Sequence, residues 1–90
     1  MTSEVKTNLI EIGIEELIQE LKNYPVDLKL KRLRLFFGLT QVQLSKEIGC
    51  DRWGVSIWES GKRVPSERTL EKIRQYYRLP FDFFFDDKKV

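Results

Sequence analysis

The stretch GLTQVQLSKEIGCDRWGVSIWESGKR, residues 38–63, decides the fold. Thr40 can cap a helix over QVQLSKEI (41–48), in which Leu44 and Ile48 lie four apart and share a face. Gly49 stops that segment. Asp51 can cap the next one, RWGVSIWES (52–60), whose Val55 and Trp58 stand three apart and turn to one side, and Gly61 ends it. Two short helices joined through a glycine turn make a helix-turn-helix. The second would carry two tryptophans, an isoleucine and a single basic residue. Its outer face could meet the protein's own core, another protein or the groove of a double helix.

Outward from the motif the chain continues as helix. Ile14, Leu17, Ile18 and Leu21 follow the i, i+3, i+4, i+7 spacing, so IEELIQELK (14–22) predicts an amphipathic helix that Asn23-Tyr24-Pro25 breaks. LKLKRLRLFF (28–37) alternates like a strand at its start, yet Leu30, Leu33 and Phe37 also fit a helical face. With Asp27 as N-cap, Gly38 just past the end and almost no β-branched residue, it reads as helix. Pro65-Ser66 starts a further helix whose apolar face is Thr69, Leu70, Ile73, Tyr76 and Tyr77. Leu79-Pro80 leads into FDFFF, a short apolar turn or helix.

Ninety residues, 41% hydrophobic and 33% charged, suit one small globular domain. The lone Cys50 excludes an internal disulfide, and with no histidine in the chain no metal site is expected. That usage fits a reducing, cytoplasmic setting. The opening MTSEVKTNLIEIG lacks the pattern of a signal peptide, and no segment approaches a membrane span. Net charge is only +2, but it is unevenly spread. Residues 1–27 carry six acidic and two basic side chains, whereas residues 28–78 carry twelve basic and five acidic. A cationic block between acidic ends is a fair footprint for a polyanion partner, though a solvated basic surface would read the same.

From Leu28 to Phe85 the sequence resembles the lambda-repressor-like regulators, the Cro and phage-repressor or XRE type. The resemblance is carried by Gly38-Leu39-Thr40-Gln41, Leu44, Ile48-Gly49, Asp51 with Val55, Trp58-Glu59-Ser60-Gly61, Lys62-Arg63 and Pro65-Ser66, all without gaps. It implies an all-α fold, a five-helix DNA-binding domain, here with an extra N-terminal amphipathic helix. The domain would be residues 28–85 with its motif at 40–60, preceded by an acidic extension 1–27 and followed by a polar tail 86–90. It further implies a transcriptional regulator, a repressor that reads the major groove of a pseudo-palindromic operator as a homodimer. Arg52, Trp53, Ser56 and Ile57 would face the bases from the helix 52–60. Gln41 and Gln43, with Lys62 and Arg63 after the helix, would bind phosphates. Arg34 and Glu59 would form a structural ion pair.

The sequence departs from the family pattern at four places. Trp53 and Ile57 stand where polar residues are usual, and could cover thymine methyls or belong to a protein-facing patch. Gly54 sits inside the reading helix at a cost of roughly 1 kcal/mol against alanine, so close backbone approach or packing is expected to select it. Ser45 replaces an alanine, and Arg78 a glycine. An enzyme is not expected: no catalytic residue or cofactor site is legible, with no Gly-rich phosphate loop and no carboxylate pair set against a pocket. The alternative reading is a protein-interaction module or antitoxin-like partner using the Trp53/Ile57 face. Dimer contacts would come from Phe81–Phe85 or from the N-terminal helix, which could instead meet a protein partner.

Overall fold

The computed structural model describes residues 13–85. The polar tail 86–90 and the first twelve residues of the acidic extension lie outside the described residues. Among the described residues there are five helices and no strand: α1 (13–21), α2 (Val26–Phe36), α3 (Gln41–Ile48), α4 (Gly54–Glu59) and α5 (Glu67–Tyr77).

One apolar cluster holds them together. Leu21, Leu30, Leu33, Leu44, Val55 and Ile73 are almost wholly buried at its centre, with Ile48, Leu70, Tyr77, Leu79, Phe83 and Phe84 around them. Each such leucine contributes about 1.5–3 kcal/mol by leaving water, a large share in a domain this small. Leu21 of α1 belongs to this core, and Ile14, Leu17 and Ile18 pack against it half-buried. The N-terminal helix is thus built into the same core as residues 30–84, and its apolar stripe is spent there.

The ends of the helices follow from local chemistry. Thr40 caps α3 through a reciprocal box: its hydroxyl accepts the Gln43 N–H, and the Gln43 side-chain oxygen accepts the Thr40 N–H. Gly49 closes α3 with φ +81°, a conformation that a Cβ penalises. Ser66 caps α5 by accepting the Thr69 N–H. α2 begins two residues earlier than expected. Pro25, at φ −65°, takes the N-cap position and its carbonyl accepts the Lys29 N–H, so Asp27 falls in the first turn instead of capping. There its carboxylate still favours the helix dipole.

The segment 81–85 folds as turns. It divides the phenylalanines: Phe83 and Phe84 enter the core, while Phe81 is 83% exposed and Phe85 partly so. The buried Lys29 fixes this division by donating to the Phe83 carbonyl at 2.6 Å and lying over its ring. Tyr76, expected on the apolar face of α5, is 39% exposed and meets Tyr77 edge-on, while Tyr77 stacks on Phe37.

Arg34 and Arg74 do the same work at two helix ends. Each donates from Nη1 to a carbonyl five residues on, Leu39 at 2.7 Å and Leu79 at 3.0 Å, gluing the chain that leaves the helix. After α5 that exit requires Arg78 at φ +58°, the left-handed region. A non-glycine residue there costs about 1–2 kcal/mol, partly offset by the entropy a glycine loses on folding. Arg78→Gly is expected to stabilise the domain by about 1 kcal/mol, raising its melting midpoint by roughly 4–8 °C. Thermal denaturation followed by circular dichroism checks this, and an unchanged or lower midpoint would refute it.

Candidate nucleic-acid interface

The helix-turn-helix is built from α3 and α4, and two contacts set their crossing. The Gln41 side-chain amide, at the start of α3, donates to Glu59 Oε1 at the end of α4 over 3.1 Å. The buried Ser45 hydroxyl donates to the Arg52 carbonyl, 3.4 Å away, in the turn before α4. The start of α3 therefore lies by the end of α4, and the middle of α3 by its beginning. Ser45 is more than a small filler, because its hydroxyl holds the turn that carries Arg52.

The second helix of the motif starts later than its sequence suggests. Asp51 does not cap a helix at Arg52. Its Oδ1 accepts the Trp53 N–H at 2.8 Å and its carbonyl accepts the Gly54 N–H at 2.9 Å, making a turn of Arg52 and Trp53 before α4 opens at Gly54. The span 52–60 thus resolves into a turn followed by a helix over Gly54–Glu59. Gly54 has a steric reason: a Cβ there would lie 3.3 Å from the Cys50 sulfur and 3.6 Å from the Trp58 ring. Cys50 is half-buried at this contact, a packing role.

The four residues expected to face bases are set outward to different degrees. Trp53 is 61% and Ile57 is 37% exposed; Arg52 is exposed, and Ser56 is half-buried. The Arg52 guanidinium lies 4.9 Å from the Trp53 ring centroid, stacked as a cation on an aromatic face. Val55 and Trp58 turn the other way, Val55 wholly buried and Trp58 against the core. Lys62 and Arg63 follow α4 and are exposed. Their loop is shaped by Gly61, at φ +79°, and by the Ser60 hydroxyl, which donates to the Ile57 carbonyl and accepts the Lys62 N–H. A Cβ on Gly61 would come within 3.3 Å of the Asp27 carboxylate, so the start of α2 abuts this loop.

The expected phosphate ligands are partly engaged within the protein. Gln41 is tied to Glu59, and the oxygen of Gln43 serves the α3 cap, leaving its NH₂ group for the exterior. The use of Gln41 by Glu59 was not legible in the sequence, whereas the Thr40-x-x-Gln43 spacing does signal the cap that engages Gln43. Behind them Arg34 grips Glu59 with two bonds, Nε to Oε2 at 2.7 Å and Nη2 to Oε1 at 3.0 Å. The Glu59 side chain is only 4% exposed. Its hydrogen bonds raise the Arg34 pKa further above the ordinary guanidinium value. Close by, burial pushes the Tyr77 hydroxyl pKa upward.

This arrangement can hold a polyanion. Among the described residues no group of histidine, cysteine, aspartate or glutamate side chains could hold a metal. None of the described helices is long and apolar enough to cross a membrane.

Comparison with known proteins agrees with the geometry. A family model described as helix-turn-helix matches residues 30–84. An HTH-type transcriptional activator, BcrR of Enterococcus faecalis, is 37% identical over 54 residues, which cover 60% of this chain but only 26% of that protein. An uncharacterized HTH-type transcriptional regulator of Archaeoglobus fulgidus is 31% identical over 64 residues, 69% of this chain and 91% of its own length. A second such regulator from the same organism is 30% identical over 64 residues. No solved structure gives a significant match. With α3 and α4 crossed at Gln41–Glu59 and Ser45–Arg52, and the match running through both, the chain belongs to the lambda-repressor-like helix-turn-helix family of DNA-binding transcriptional regulators.

Proposed function

We propose that the protein is a sequence-specific regulator that binds a pseudo-palindromic operator as a homodimer and represses by occupying it. The observation that carries this reading is the outward set of Arg52, Trp53, Ser56 and Ile57 beside the exposed Lys62 and Arg63, with the opposite side of α4 buried. The turn and α4 enter the major groove, while Lys62, Arg63 and the amides of Gln41 and Gln43 meet phosphates. The exposure of Phe81, with the partly exposed Phe85 four residues on, supports contact between two copies.

A salt titration on duplex DNA tests the reading. Lys62 and Arg63 from two protomers give about four charged phosphate contacts, hence a log–log slope of roughly −3.6 and about a hundredfold loss of affinity between 50 and 200 mM salt. Two protomers should bind per site. A folded protein that binds no duplex at low salt would overturn the proposal. The 61% exposure of Trp53 favours one second reading, a polypeptide-binding module, whose affinity would respond far less to salt.

A further inference from the structure

Trp53 and Ile57 do not fit the ordinary reason for large apolar side chains. Neither belongs to the core, and Trp53 leaves 61% of its surface in water. They stand four residues apart across the entry into α4, so their side chains lie one turn from each other on the outer face. The neighbourhood is cationic: Arg52 stacks on the indole, and Lys62 and Arg63 follow the same helix. Charge complementarity therefore selects a polyanion as the occupant of this face. Within the major groove the bases offer donors, acceptors and one apolar group, the C5-methyl of thymine.

From this geometry we infer that Trp53 and Ile57 form a thymine-methyl reader coupled to a guanine-binding arginine. The inference rests on the DNA-binding reading above and names what its apolar face recognises. Arg52 holds its guanidinium carbon over the indole, 4.9 Å from the ring centroid, and the N–H groups turned from the ring would meet guanine O6 and N7. The indole beside it then covers the methyl of a thymine adjacent to that guanine. Ile57, one helical turn further, covers a second methyl. Two bonds set the backbone of the turn that carries the pair: the Trp53 N–H donates to Asp51 Oδ1 and the Ser45 hydroxyl to the Arg52 carbonyl.

The test uses the full chain and a site selected from random duplexes. Each thymine of the selected site is replaced in turn by uracil, which removes only the methyl group and keeps every hydrogen-bonding atom. At one or two thymines per half-site, one of them next to a guanine, wild-type binding should weaken about fourfold, and about sixteenfold when both half-sites are changed. Trp53→Ala should bind the thymine and uracil forms alike at the guanine-adjacent position, and Ile57→Ala at the other. Binding of the selected site with no uracil effect anywhere would overturn methyl reading and leave the DNA-binding proposal standing. So would a uracil effect that persists unchanged in Trp53→Ala and Ile57→Ala. Failure to bind any duplex would remove the underlying reading and this inference with it.

Discussion

Replacing Arg34 by alanine is expected to destabilise the domain by about 3–5 kcal/mol, the cost of stranding one member of a buried ion pair. The Glu59 side chain is 4% exposed and takes two bonds from the guanidinium; a third guanidinium bond holds the Leu39 carbonyl. Without Arg34 the carboxylate would keep only the Gln41 amide among these partners, far too little to replace water. A domain of this size has roughly 5–15 kcal/mol in total, so the variant would sit near the edge of folding. Urea denaturation measures the change. The double variant Arg34→Met with Glu59→Leu should recover most of the loss, because well-packed apolar replacements of buried pairs are often neutral or better. If Arg34→Ala costs less than about 1 kcal/mol, the pair behaves as a surface one and the account is wrong.

Arg52→Ala and Lys62→Ala are expected to weaken DNA binding in different ways. Arg52 is exposed before α4, where the proposal has it face the groove, and its fork can take both acceptors of a guanine, so its loss should cost about 1–3 kcal/mol in each half-site. For a dimer that doubles, a fall of between one and four orders of magnitude on the preferred site, with base preference relaxed at one position per half-site. Lys62 lies in the loop after α4 and should meet phosphate alone. Its loss should weaken all sequences alike and shallow the salt slope by about one contact per protomer. Site selection with each variant, followed by titration at two salt concentrations, separates the outcomes. An Arg52→Ala protein that recovers the parental motif at parental strength would show that this turn does not read bases.

The elements legible in the sequence are those specified by neighbouring residues. Thr40, Gly49, Ser66 and Gly61 act within one turn of their own positions, and all four mark ends in the structure. Asp51 shows the limit of such reasoning. A side-chain oxygen that accepts an N–H two residues on makes a turn, and one that accepts from two or three on caps a helix, so the same aspartate supports either reading. In the structure the Asp51 carboxylate takes the Trp53 N–H and the Asp51 carbonyl the Gly54 N–H, and α4 opens two residues later than 52. The division of Phe81–Phe85 into core and surface was illegible because Lys29, 54 positions away in sequence, sets it. The use of Gln41 by Glu59 likewise depends on a contact across 18 positions.

The sidedness of α4 separates what the protein stands on from what it recognises. Val55 and Trp58 anchor the helix, Glu59 ties it to α2 and α3, and Gly54 lets it approach Cys50. Arg52, Trp53 and Ile57 contribute nothing to the apolar cluster, and Ser45 holds Arg52 only through its backbone carbonyl, a group every amino acid possesses. Side chains at 52, 53 and 57 can therefore be exchanged without opening that cluster. A library randomised at those three positions should remain folded in nearly every member and differ only in the DNA it selects. A single ancestral scaffold of this build could thus drift from one operator to another without passing through an unfolded intermediate.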